Sequence, residues 1–257
     1  MEREPLPVAL VTGGNHGIAR VICTHLAQVG YPVAVNYRSG EAAARALVRE
    51  LQEQGVPAEA FAADVSQPDA VQRMALQVQA SLGAPLVLVH AAGPFIDERK
   101  RVDTYSEDQW RAMIDGNLSS AFYLARAVVP GMRAAHFGRI ITFGFPRSQD
   151  ASGWPLRGAY AAAKTGLVSL TRTMALELAQ DGITANMVVP GNVRPDFKEK
   201  EIAEARGIHD PQTPIGRPAT GGDLARAVLF LATREADAIT GAVLEVTGGV
   251  DVVRSQR

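Results

Sequence analysis

Tyr160 and Lys164, four positions apart, are the pair in this sequence best suited to acid–base chemistry. They stand near the start of a helical stretch, where positions i and i+4 share one face. A phenol has an unperturbed pKa of about 10, but an ammonium at about 4 Å and an effective dielectric constant of about 20 stabilises the phenolate by up to about 4 kcal/mol. We therefore predict that Lys164 depresses the pKa of Tyr160. Because such a pair also arises by chance, it needs support from the rest of the chain.

A glycine-containing segment early in the chain, Thr12–Ala19, is suited to binding a pyrophosphate. It joins the apolar run Pro7–Val11 to a helical pattern that begins at Gly17. Glycines permit a tight turn and close backbone approach, and a helix N-terminus offers free N–H groups and a positive dipole end. Alone, the segment is equally consistent with a plain turn, but its place between the first strand and the first helix favours a dinucleotide site. The candidate contacts are Gly13, Asn15, His16, Gly17 and Ile18.

Residues that follow the next three predicted strands extend this candidate site. Strand two ends at Asn36-Tyr37-Arg38, where an acidic residue would favour NAD and where Arg38 can pair with a 2′-phosphate. NADP(H) is therefore the favoured cofactor, although Arg38 is also consistent with a solvated loop. The further candidate contacts are Tyr37, Asp64, Val65, Ala91, Ala92 and Gly93.

Short apolar runs alternate with longer helical patterns, which predicts an α/β fold. Runs such as Leu86–Val89 are almost continuously apolar, as in parallel strands buried on both faces. Right-handed crossovers then give a Rossmann-type, doubly wound parallel sheet of about seven strands with helices on both faces. The predicted strands are Pro7–Val11, Pro32–Asn36, Ala58–Ala62, Leu86–His90, Gly138–Phe143, Ile183–Val189 and Val243–Val246. The predicted helices are Gly17–Val29, Glu41–Gln54, Asp69–Ser81, Asp108–Ala135, Gly158–Gln180 and Asp223–Ala232.

No linker, repeat or low-complexity tract divides the chain, so we predict a single domain over residues 1–257. The one irregular stretch is Gly191–Gly222, which is rich in Pro and Gly and contains a charged helical piece, Phe197–Arg206. A long connection in a compact domain is often a lid or binding loop. We predict a substrate lid at residues 191–222.

The composition argues against several classes of protein. There are 26 basic and 27 acidic residues, so the chain lacks the basic excess typical of nucleic-acid binding. No run reaches the roughly 18 apolar residues of a membrane span, and Met1–Pro7 has no apolar region of a signal peptide behind it. Cys23 is the single cysteine, which fits a reducing compartment. We expect a cytoplasmic protein without a metal site that binds neither nucleic acid nor membrane.

Taken together, these motifs resemble those of the short-chain dehydrogenase/reductase family, and the resemblance runs from Val8 to Gly249. The matching motifs, in the family's order and spacing, are Thr12-Gly13-x-x-x-Gly17-Ile18, Asp64-Val65, Ala92-Gly93, Asn117, Tyr160-x-x-x-Lys164 and Pro190-Gly191. Passages such as Asn117-Leu-Ser-Ser-Ala-Phe and Val246-Thr-Gly-Gly249 are similar to the 3-oxoacyl-[acyl-carrier-protein] reductase branch.

The resemblance implies hydride transfer between a nicotinamide and a carbonyl carbon, with Tyr160 donating the proton in reduction. It implies that Lys164 holds the nicotinamide ribose and lowers the tyrosine pKa, and that Asn117 keeps a water in a proton relay. It adds Pro190, Gly191 and Val193 to the cofactor contacts. It also suggests self-association as a homotetramer or a dimer.

One departure from the family pattern bears directly on the chemistry. The family's serine near the end of strand five, which binds the substrate carbonyl, is replaced here by Phe145. Ser148 is the first candidate to replace that donor if the loop folds back, and Ser152 is the second. It is equally open that neither reaches the site. Losing such a donor can cost about 10²-fold or more in rate.

A second departure bears on the substrate. The two arginines with which relatives bind acyl carrier protein correspond to His136 and Asp181 here. Since Asp181 would repel an acidic partner, acyl carrier protein is a doubtful partner. Whether the basic run 99–101 takes over the role of the two arginines stays open.

The favoured hypothesis is NADPH-dependent reduction of a carbonyl, in a 3-oxoacyl thioester or another ketone, to an alcohol. An imine or pterin-type reductase shares the Tyr/Lys chemistry and stays open. A non-catalytic NADP-binding regulatory or structural protein is the alternative from a different class. Phe145 supports that alternative, whereas Asn117, Tyr160 and Lys164 oppose it.

Overall fold

A seven-stranded parallel sheet forms the centre of the computed structural model, which describes residues 6–96, 98–251 and 253. The strands are β1 Val8–Thr12, β2 Val33–Tyr37, β3 Ala58–Ala62, β4 Pro85–His90, β5 Gly138–Phe143, β6 Ile183–Pro190 and β7 Val243–Val246. Their order is β3-β2-β1-β4-β5-β6-β7, and every neighbouring pair is parallel. The predicted doubly wound α/β fold is confirmed. The predicted lack of a signal peptide concerns Met1–Pro7, of which residues 1–5 lie outside the described ranges.

Helices cover both faces of the sheet, as near-continuously apolar strands require. The helices are α1 Gly17–Gln28, α2 Glu41–Glu53, α3 Pro68–Ser81, α4 Glu107–Ile114, α5 Ser120–Ala134, α6 Gly158–Glu177, α7 Ile202–Ala205 and α8 Gly221–Ala232. Apolar residues of α1, α2 and α8 pack in one core on the first face. Those of α3, α5 and α6 pack in a second core on the opposite face. In the described part of the chain, no helix is both long and apolar enough to cross a bilayer.

The chain reverses its direction of travel across the sheet between β1 and β4. From β1 the sheet grows through β2 to β3, and after β3 the chain returns to place β4 on the other side of β1. Ligands of open α/β sheets bind outside the carboxyl ends of the strands at such a switch point. The loops that follow β1 and β4 are therefore expected to form the binding cleft.

Two predicted helices differ from those in the structure. The pattern over Asp108–Ala135 predicted one long helix, but α4 and α5 are separated by a π-helical turn, Asp115–Ser119. The charged piece Phe197–Arg206 contains only the end of a 3₁₀ turn, Pro195–Phe197, and the four-residue α7. Both differences depend on contacts with distant parts of the chain, which helical periodicity does not encode.

The single cysteine lies inside the layer formed by β1 and α1. Cys23 is completely buried, and its thiol points at the carbonyl of Gly14, with Sγ 3.9 Å from that oxygen. Burial raises the pKa of the Cys23 thiol above its usual range. A thiol in this environment is unreactive, because only the thiolate is a nucleophile.

Candidate active site

The turn between β1 and α1 lies directly against the segment that follows β4. Gly13 has a φ of 65°, a left-handed conformation that favours glycine. A Cβ on Gly13 would lie 3.3 Å from Cα of Ala92, so the two backbones approach closely. The predicted glycine turn therefore stands at the switch point, where it can meet a dinucleotide.

The first turn of α1 has neither a side-chain cap nor an acidic residue of its own. His16 occupies the N-cap position. The Gly17 N–H instead donates to Oε1 of Glu199 at 2.6 Å. Oε2 of Glu199 also lies 3.9 Å from Arg20. A carboxylate from the 191–222 segment thus occupies the helix end that favours phosphate.

The other predicted contacts in this turn have structural partners. Asn15 donates from Nδ2 to the carbonyl of Ser39 at 2.8 Å, which ties the turn to the loop after β2. The exposed His16 lies with Nδ1 3.0 Å from Oδ1 of Asn15. Ile18 packs against the core on the α1 face of the sheet. The side chains of Asn15 and His16 thus hold the rim of the cleft.

A cavity of about 430 Å³ extends from the glycine turn along the ends of β1 to β4. The predicted contacts that line it are Gly13, Arg38, Asp64, Val65, Ala92 and Gly93. Asp64 accepts from the N–H and the hydroxyl of Ser66 at 2.9 and 2.7 Å, so its carboxylate orients the loop after β3.

Three other predicted contacts face the protein interior. Tyr37 and Val193 are each 8% exposed and belong to the core on the α1 face. Ala91 packs against the same core. Because their side chains pack in the core, these residues would contact a ligand through their backbone groups.

A buried chain of hydrogen bonds links the ends of β1 and β4 to the start of α5. The Ala92 N–H donates to Oγ1 of Thr12 at 3.0 Å, and Thr12 Oγ1 lies 3.1 Å from Nδ1 of His90. Nε2 of His90 lies 2.9 Å from Oγ of Ser120, which itself donates to the Gly116 carbonyl at 2.9 Å.

These bonds determine the protonation state of His90. Ser120 uses its one proton on Gly116, so it accepts from an N–H at Nε2 of His90. Nδ1 then accepts from the hydroxyl of Thr12. Burial, and next the charge of Lys164, lower the pKa of His90 to about 3. The imidazole is therefore neutral at physiological pH.

The π-helical turn places Asn117 in the cleft. Asn117 is completely buried, and its Nδ2 donates to the carbonyls of Pro94 and Met113 at 2.9 and 3.0 Å. Its Oδ1 has no hydrogen-bond partner among the described residues. A side chain on Gly93 would collide with that oxygen and lie 3.5 Å from Nζ of Lys164. The Asn117 carbonyl oxygen and the Lys164 ammonium therefore face the same small space beside Gly93.

Tyr160 and Lys164 share one face of α6, as their spacing predicts. Nζ of Lys164 lies 5.7 Å from the centroid of the Tyr160 ring. Burial raises the pKa of Tyr160 to about 12 and lowers that of Lys164 to about 8. The predicted depression of the tyrosine pKa is thus wrong for this structure, because burial desolvates the phenolate and raises the pKa.

A second cavity, of about 310 Å³, opens beside Tyr160. It is lined by Phe95, Gly144, Phe145, Pro146, Trp154, Arg157, Tyr160, Pro190, Gly191 and Asn192. Of the predicted residues at the end of β6, Pro190 and Gly191 face this cavity. The cavity therefore gives a small molecule access to the side chain of Tyr160.

Neither serine considered as a replacement donor lines the cavity beside Tyr160. Ser148 is 1% exposed, and a Cβ on Gly144 would lie 3.1 Å from its Oγ. Its hydroxyl has no hydrogen-bond partner among the described residues and lies beside Gly144, which does line the cavity. Ser152 lines a different and larger groove of about 700 Å³. A carbonyl-binding role for Ser148 stays a prediction, whereas Ser152 lines another groove.

The 191–222 segment borders the cavity beside Tyr160 at Gly191 and Asn192 and then packs on the α1 face of the sheet. Phe197 and Ala205 are buried in the core on that face. Nε2 of His25 lies 2.8 Å from a carboxylate oxygen of Glu201, which anchors the segment to α1. Glu199, two residues earlier, is thereby held at the helix end.

Comparisons with known proteins agree with this geometry. A family described as enoyl-(acyl carrier protein) reductase matches residues 13–251. YtkK of Bacillus subtilis, provisionally named an oxidoreductase, is 43% identical. The alignment covers 97% of this chain and 98% of YtkK. The 3-oxoacyl-[acyl-carrier-protein] reductase FabG of Staphylococcus epidermidis is 37% identical over 94% of this chain and 98% of its own.

A solved structure from Bacillus thuringiensis, provisionally called a 3-oxoacyl-reductase, is also similar. It is 40% identical with a TM-score of 0.90, over 96% of this chain and 99% of that one. The fold and the site together define an α/β oxidoreductase. The chain belongs to the short-chain dehydrogenase/reductase family, as the motifs in the sequence predict.

Sequence reasoning missed several residues that shape the site. Glu199 is 182 positions from Gly17, and a charge in the run 198–201 is typical of a solvated loop. Asn36 is buried and accepts from the Gly13 N–H at 3.3 Å, so it holds the glycine turn. Its place at the end of a predicted strand was the one available signal.

Proposed function

We propose that the protein reduces a carbonyl to an alcohol with NADPH as the hydride donor. The observation that carries the proposal is Tyr160, whose hydroxyl stays protonated at neutral pH and whose side chain lines a cavity of about 310 Å³. A neutral phenol at this position is suited to donate a proton to a carbonyl oxygen. The membership of an oxidoreductase family supports the same reaction.

The residues along the cleft fit a nicotinamide dinucleotide. The first turn of α1 has N–H groups for a pyrophosphate, and a Cβ at Gly13 or Gly93 would fill space beside the cleft. Oδ1 of Asn117, which has no hydrogen-bond partner among the described residues, adds a polar group beside Gly93. Arg38 is exposed on the wall of the cavity, where it can pair with a 2′-phosphate, which supports NADP(H) over NAD(H).

When bound, the nicotinamide supplies the hydride. Tyr160 would donate its proton to the oxygen of the substrate, so that the carbonyl, with one hydrogen gained at carbon and one at oxygen, becomes an alcohol. Lys164, with a pKa of about 8, is mostly charged at pH 7 and stabilises the phenolate left on Tyr160. Proton transfer of this kind typically contributes about 10²–10⁴-fold.

Lys164 and Asn117 are placed to return a proton to Tyr160. The ammonium and the Asn117 carbonyl oxygen face the same space beside Gly93. A donor and an acceptor that share a small polar space can hold a water between them. This arrangement supports the proton relay that the family resemblance implies.

A non-catalytic NADP-binding protein is the second candidate, and Phe145 is the observation that favours it. Phe145 is 2% exposed and fills the place of the expected carbonyl donor. Its presence reduces the donors at the carbonyl to Tyr160 itself and the polar groups of Arg157 and Asn192. The buried Asn117 and Lys164 weigh the other way, because binding alone does not require a proton relay.

Acyl carrier protein is a weak candidate for a partner. Arg133 donates to Asp181 at 2.8 Å, so this pair carries no net positive charge that would attract an acidic carrier. In the basic run, Lys100 pairs with Glu98 at 3.2 Å and Arg101 with Asp103 at 3.2 Å. A free carbonyl compound therefore agrees better with this surface.

Self-association through the outer faces of α5 and α6 is also part of the proposal. Phe122 on α5 is 50% exposed, and Leu176 on α6 is 81% exposed. Large apolar side chains exposed on these two helices support an interface there. Light scattering of the purified protein tests for the homotetramer or dimer. A cytoplasmic location stays a prediction from the single Cys23.

The proposed reaction is tested by following the absorbance of the reduced nicotinamide with a panel of carbonyl compounds. The panel contains simple ketones, a 3-oxoacyl thioester, a 2-enoyl thioester and a cyclic imine, each with NADPH and with NADH. We expect turnover of a carbonyl compound with NADPH preferred. Tyr160→Phe, which removes only the hydroxyl, is expected to lower kcat by about 10³-fold, within the usual range for a general acid.

NADPH fluorescence titrations of both proteins accompany the assay. Equal cofactor affinity in Tyr160→Phe shows that the loss of turnover is chemical and not a loss of folding. Cofactor binding without turnover of any substrate would instead favour the non-catalytic alternative. If only the enoyl thioester or the imine were turned over, the protein would be a reductase, but not of carbonyl groups.

A further inference from the structure

Three aromatic side chains surround the ring of Tyr160, and we call Phe95, Phe145 and Trp154 the aromatic cluster. Phe95 meets Tyr160 edge-on, with ring centroids 5.0 Å apart and planes at 89°. The Trp154 and Phe145 centroids lie 6.1 and 6.2 Å from that of Tyr160. All three distances are in the range where aromatic rings attract one another. The walls next to the proton donor are therefore ring faces and edges.

The members of the aromatic cluster differ in exposure. Phe145 is buried and packs against Trp154 with centroids 5.1 Å apart, so it supports the tryptophan from below. Phe95 is 44% exposed, and Trp154 is half-buried. Both line the cavity beside Tyr160. Phe95 and Trp154 thus present ring surface to whatever enters.

The wall that carries Phe95 is tied down by Arg157. The guanidinium lies over the Phe95 ring, 4.7 Å from its centroid. The same group donates to the carbonyl of Glu98 at 2.9 Å and to that of Ile96. Since Arg157 precedes α6, these bonds fix the Phe95 segment relative to Tyr160 on that helix. The cavity therefore has a defined shape.

We propose that the substrate carbonyl is attached to a flat aromatic ring, as in an aryl ketone, and that the ring seats against Phe95 and Trp154. The inference rests on the proposed function, because it names the substrate class of the same site. With Phe145 in place of the family's serine, one donor to the carbonyl is missing, and contacts with the rest of the substrate take a larger part in orienting it. A rigid ring achieves this by stacking, whereas a flexible acyl chain loses rotational freedom when it is held in one position.

The test compares two ketones of the same carbon skeleton, acetophenone and cyclohexyl methyl ketone. The ratio of their kcat/KM values is measured with NADPH for the wild type, Phe95→Leu and Trp154→Leu. Dividing each variant's ratio by the wild-type ratio cancels the intrinsic reactivity of the two carbonyls. We expect the preference for the aryl ketone to fall about fivefold to tenfold in both variants, in line with the strength of an aromatic pair.

Trp110→Leu is the matched control, since Trp110 lies on α4 and is 41% exposed. Its ratio is expected to equal that of the wild type. Unchanged ratios in both Phe95→Leu and Trp154→Leu, with turnover retained, would overturn the ring site and leave carbonyl reduction standing.

A binding measurement keeps the ring site testable if no ketone is turned over. Trp110 and Trp154 are the two tryptophans of the chain, so Trp110→Phe leaves Trp154 as the single tryptophan emitter. We expect acetophenone to quench its fluorescence saturably and cyclohexyl methyl ketone not to do so. In Trp154→Phe, where Trp110 is the remaining emitter, we expect neither ketone to give saturable quenching. Saturable quenching without turnover would support the ring site and count against the proposed reaction. Absence of saturable quenching would overturn the ring site.

Discussion

The two sides of the cleft are positioned by different kinds of interaction. After the proposed function, we call the cavity along the ends of β1 to β4 the cofactor side and the cavity beside Tyr160 the substrate side. On the cofactor side, buried polar side chains connect the strand ends, with His90 bonded to Thr12 and Ser120. On the substrate side, aromatic rings pack against one another, as Phe145 does against Trp154. One side depends on directional hydrogen bonds, and the other on shape.

The difference teaches how far each side tolerates change. A buried polar group without its partner costs about 1–3 kcal/mol, so a hydrogen-bonded network has one acceptable arrangement. Apolar packing accepts substitutes of similar volume at a cost usually below about 1.5 kcal/mol. We therefore expect the cofactor side to be sensitive to single atoms, while the substrate side can change specificity without loss of the fold.

The largest expected effect comes from His90→Leu, which breaks the network on the cofactor side. Leucine has a similar bulk but no polar atoms. The hydroxyls of Thr12 and Ser120 therefore each lose a hydrogen bond to the imidazole. We expect the free energy of unfolding to fall by about 2–4 kcal/mol, from two buried groups that lose a partner. Urea denaturation followed by circular dichroism measures the change.

His209→Leu is the matched control, because His209 is exposed, and such surface changes usually lie within about 0.5 kcal/mol. Acid adds a second readout. The folded pKa of His90, about 3, lies below its ordinary value of 6.5, so its stabilising contribution is complete above pH 6.5 and is lost toward pH 3. Equal acid sensitivity of the wild type and His90→Leu would contradict the neutral, network-bound imidazole.

The next effect concerns Lys164, whose buried ammonium lies near both Gly93 and the ring of Tyr160. Its pKa of about 8 lies below the ordinary value of 10.5 because burial penalises the ammonium. Above pH 8 the lysine loses its proton, so kcat/KM for NADPH is expected to fall about tenfold per pH unit, as for a single ionisation of the free enzyme. Initial rates from pH 6 to pH 10 give the profile.

Lys164→Arg serves as the comparison, since a guanidinium stays charged through this range. Whatever its absolute activity, its profile is expected to lack the decline that starts near pH 8. A wild-type profile that stays level to pH 10, with unchanged circular dichroism, would rule out the ammonium as the required form.

The smallest effect is expected from Glu199→Gln at the end of α1. The carboxylate accepts from the Gly17 N–H at 2.6 Å and occupies the position that suits a cofactor phosphate. Removing its charge weakens that competition, and an anion at a helix N-terminus is worth typically about 0.3–1 kcal/mol. We expect NADPH to bind up to about fivefold more tightly, as measured by fluorescence titration.

Glu59→Gln makes the same change of net charge at an exposed position on β3 and is expected to leave the affinity unchanged. Equal tightening in both variants would show a general charge effect. Weaker binding in Glu199→Gln would mean that the carboxylate assists the cofactor instead of competing with it.

Local patterns predicted most of the fold. All seven strands were predicted to within two residues at each end, because runs of apolar residues report burial directly, as at Gly138–Phe143. Tyr160 and Lys164 share a helical face as their spacing predicts, since i and i+4 positions depend only on helix geometry.

Features that depend on distant contacts could not be predicted in this way. The π-helical turn lets Gly116 approach Pro94, and no periodicity reports such a contact. The raised pKa of Tyr160 follows from burial, which the Tyr/Lys spacing does not reveal. The inward direction of Ser148 depends on how the loop after β5 folds against Gly144.

The position of Cys23 gives the molecule a built-in reporter of local opening. Its thiol is completely buried beneath the carbonyl of Gly14, so a reagent in solution reaches it only when α1 separates from β1. The rate of thiol labelling therefore measures how often the layer under the glycine turn opens, in the same sense as amide hydrogen exchange. A ligand that binds at that turn in the closed state slows the labelling. The decrease in labelling rate measures how much the bound ligand suppresses opening of this layer.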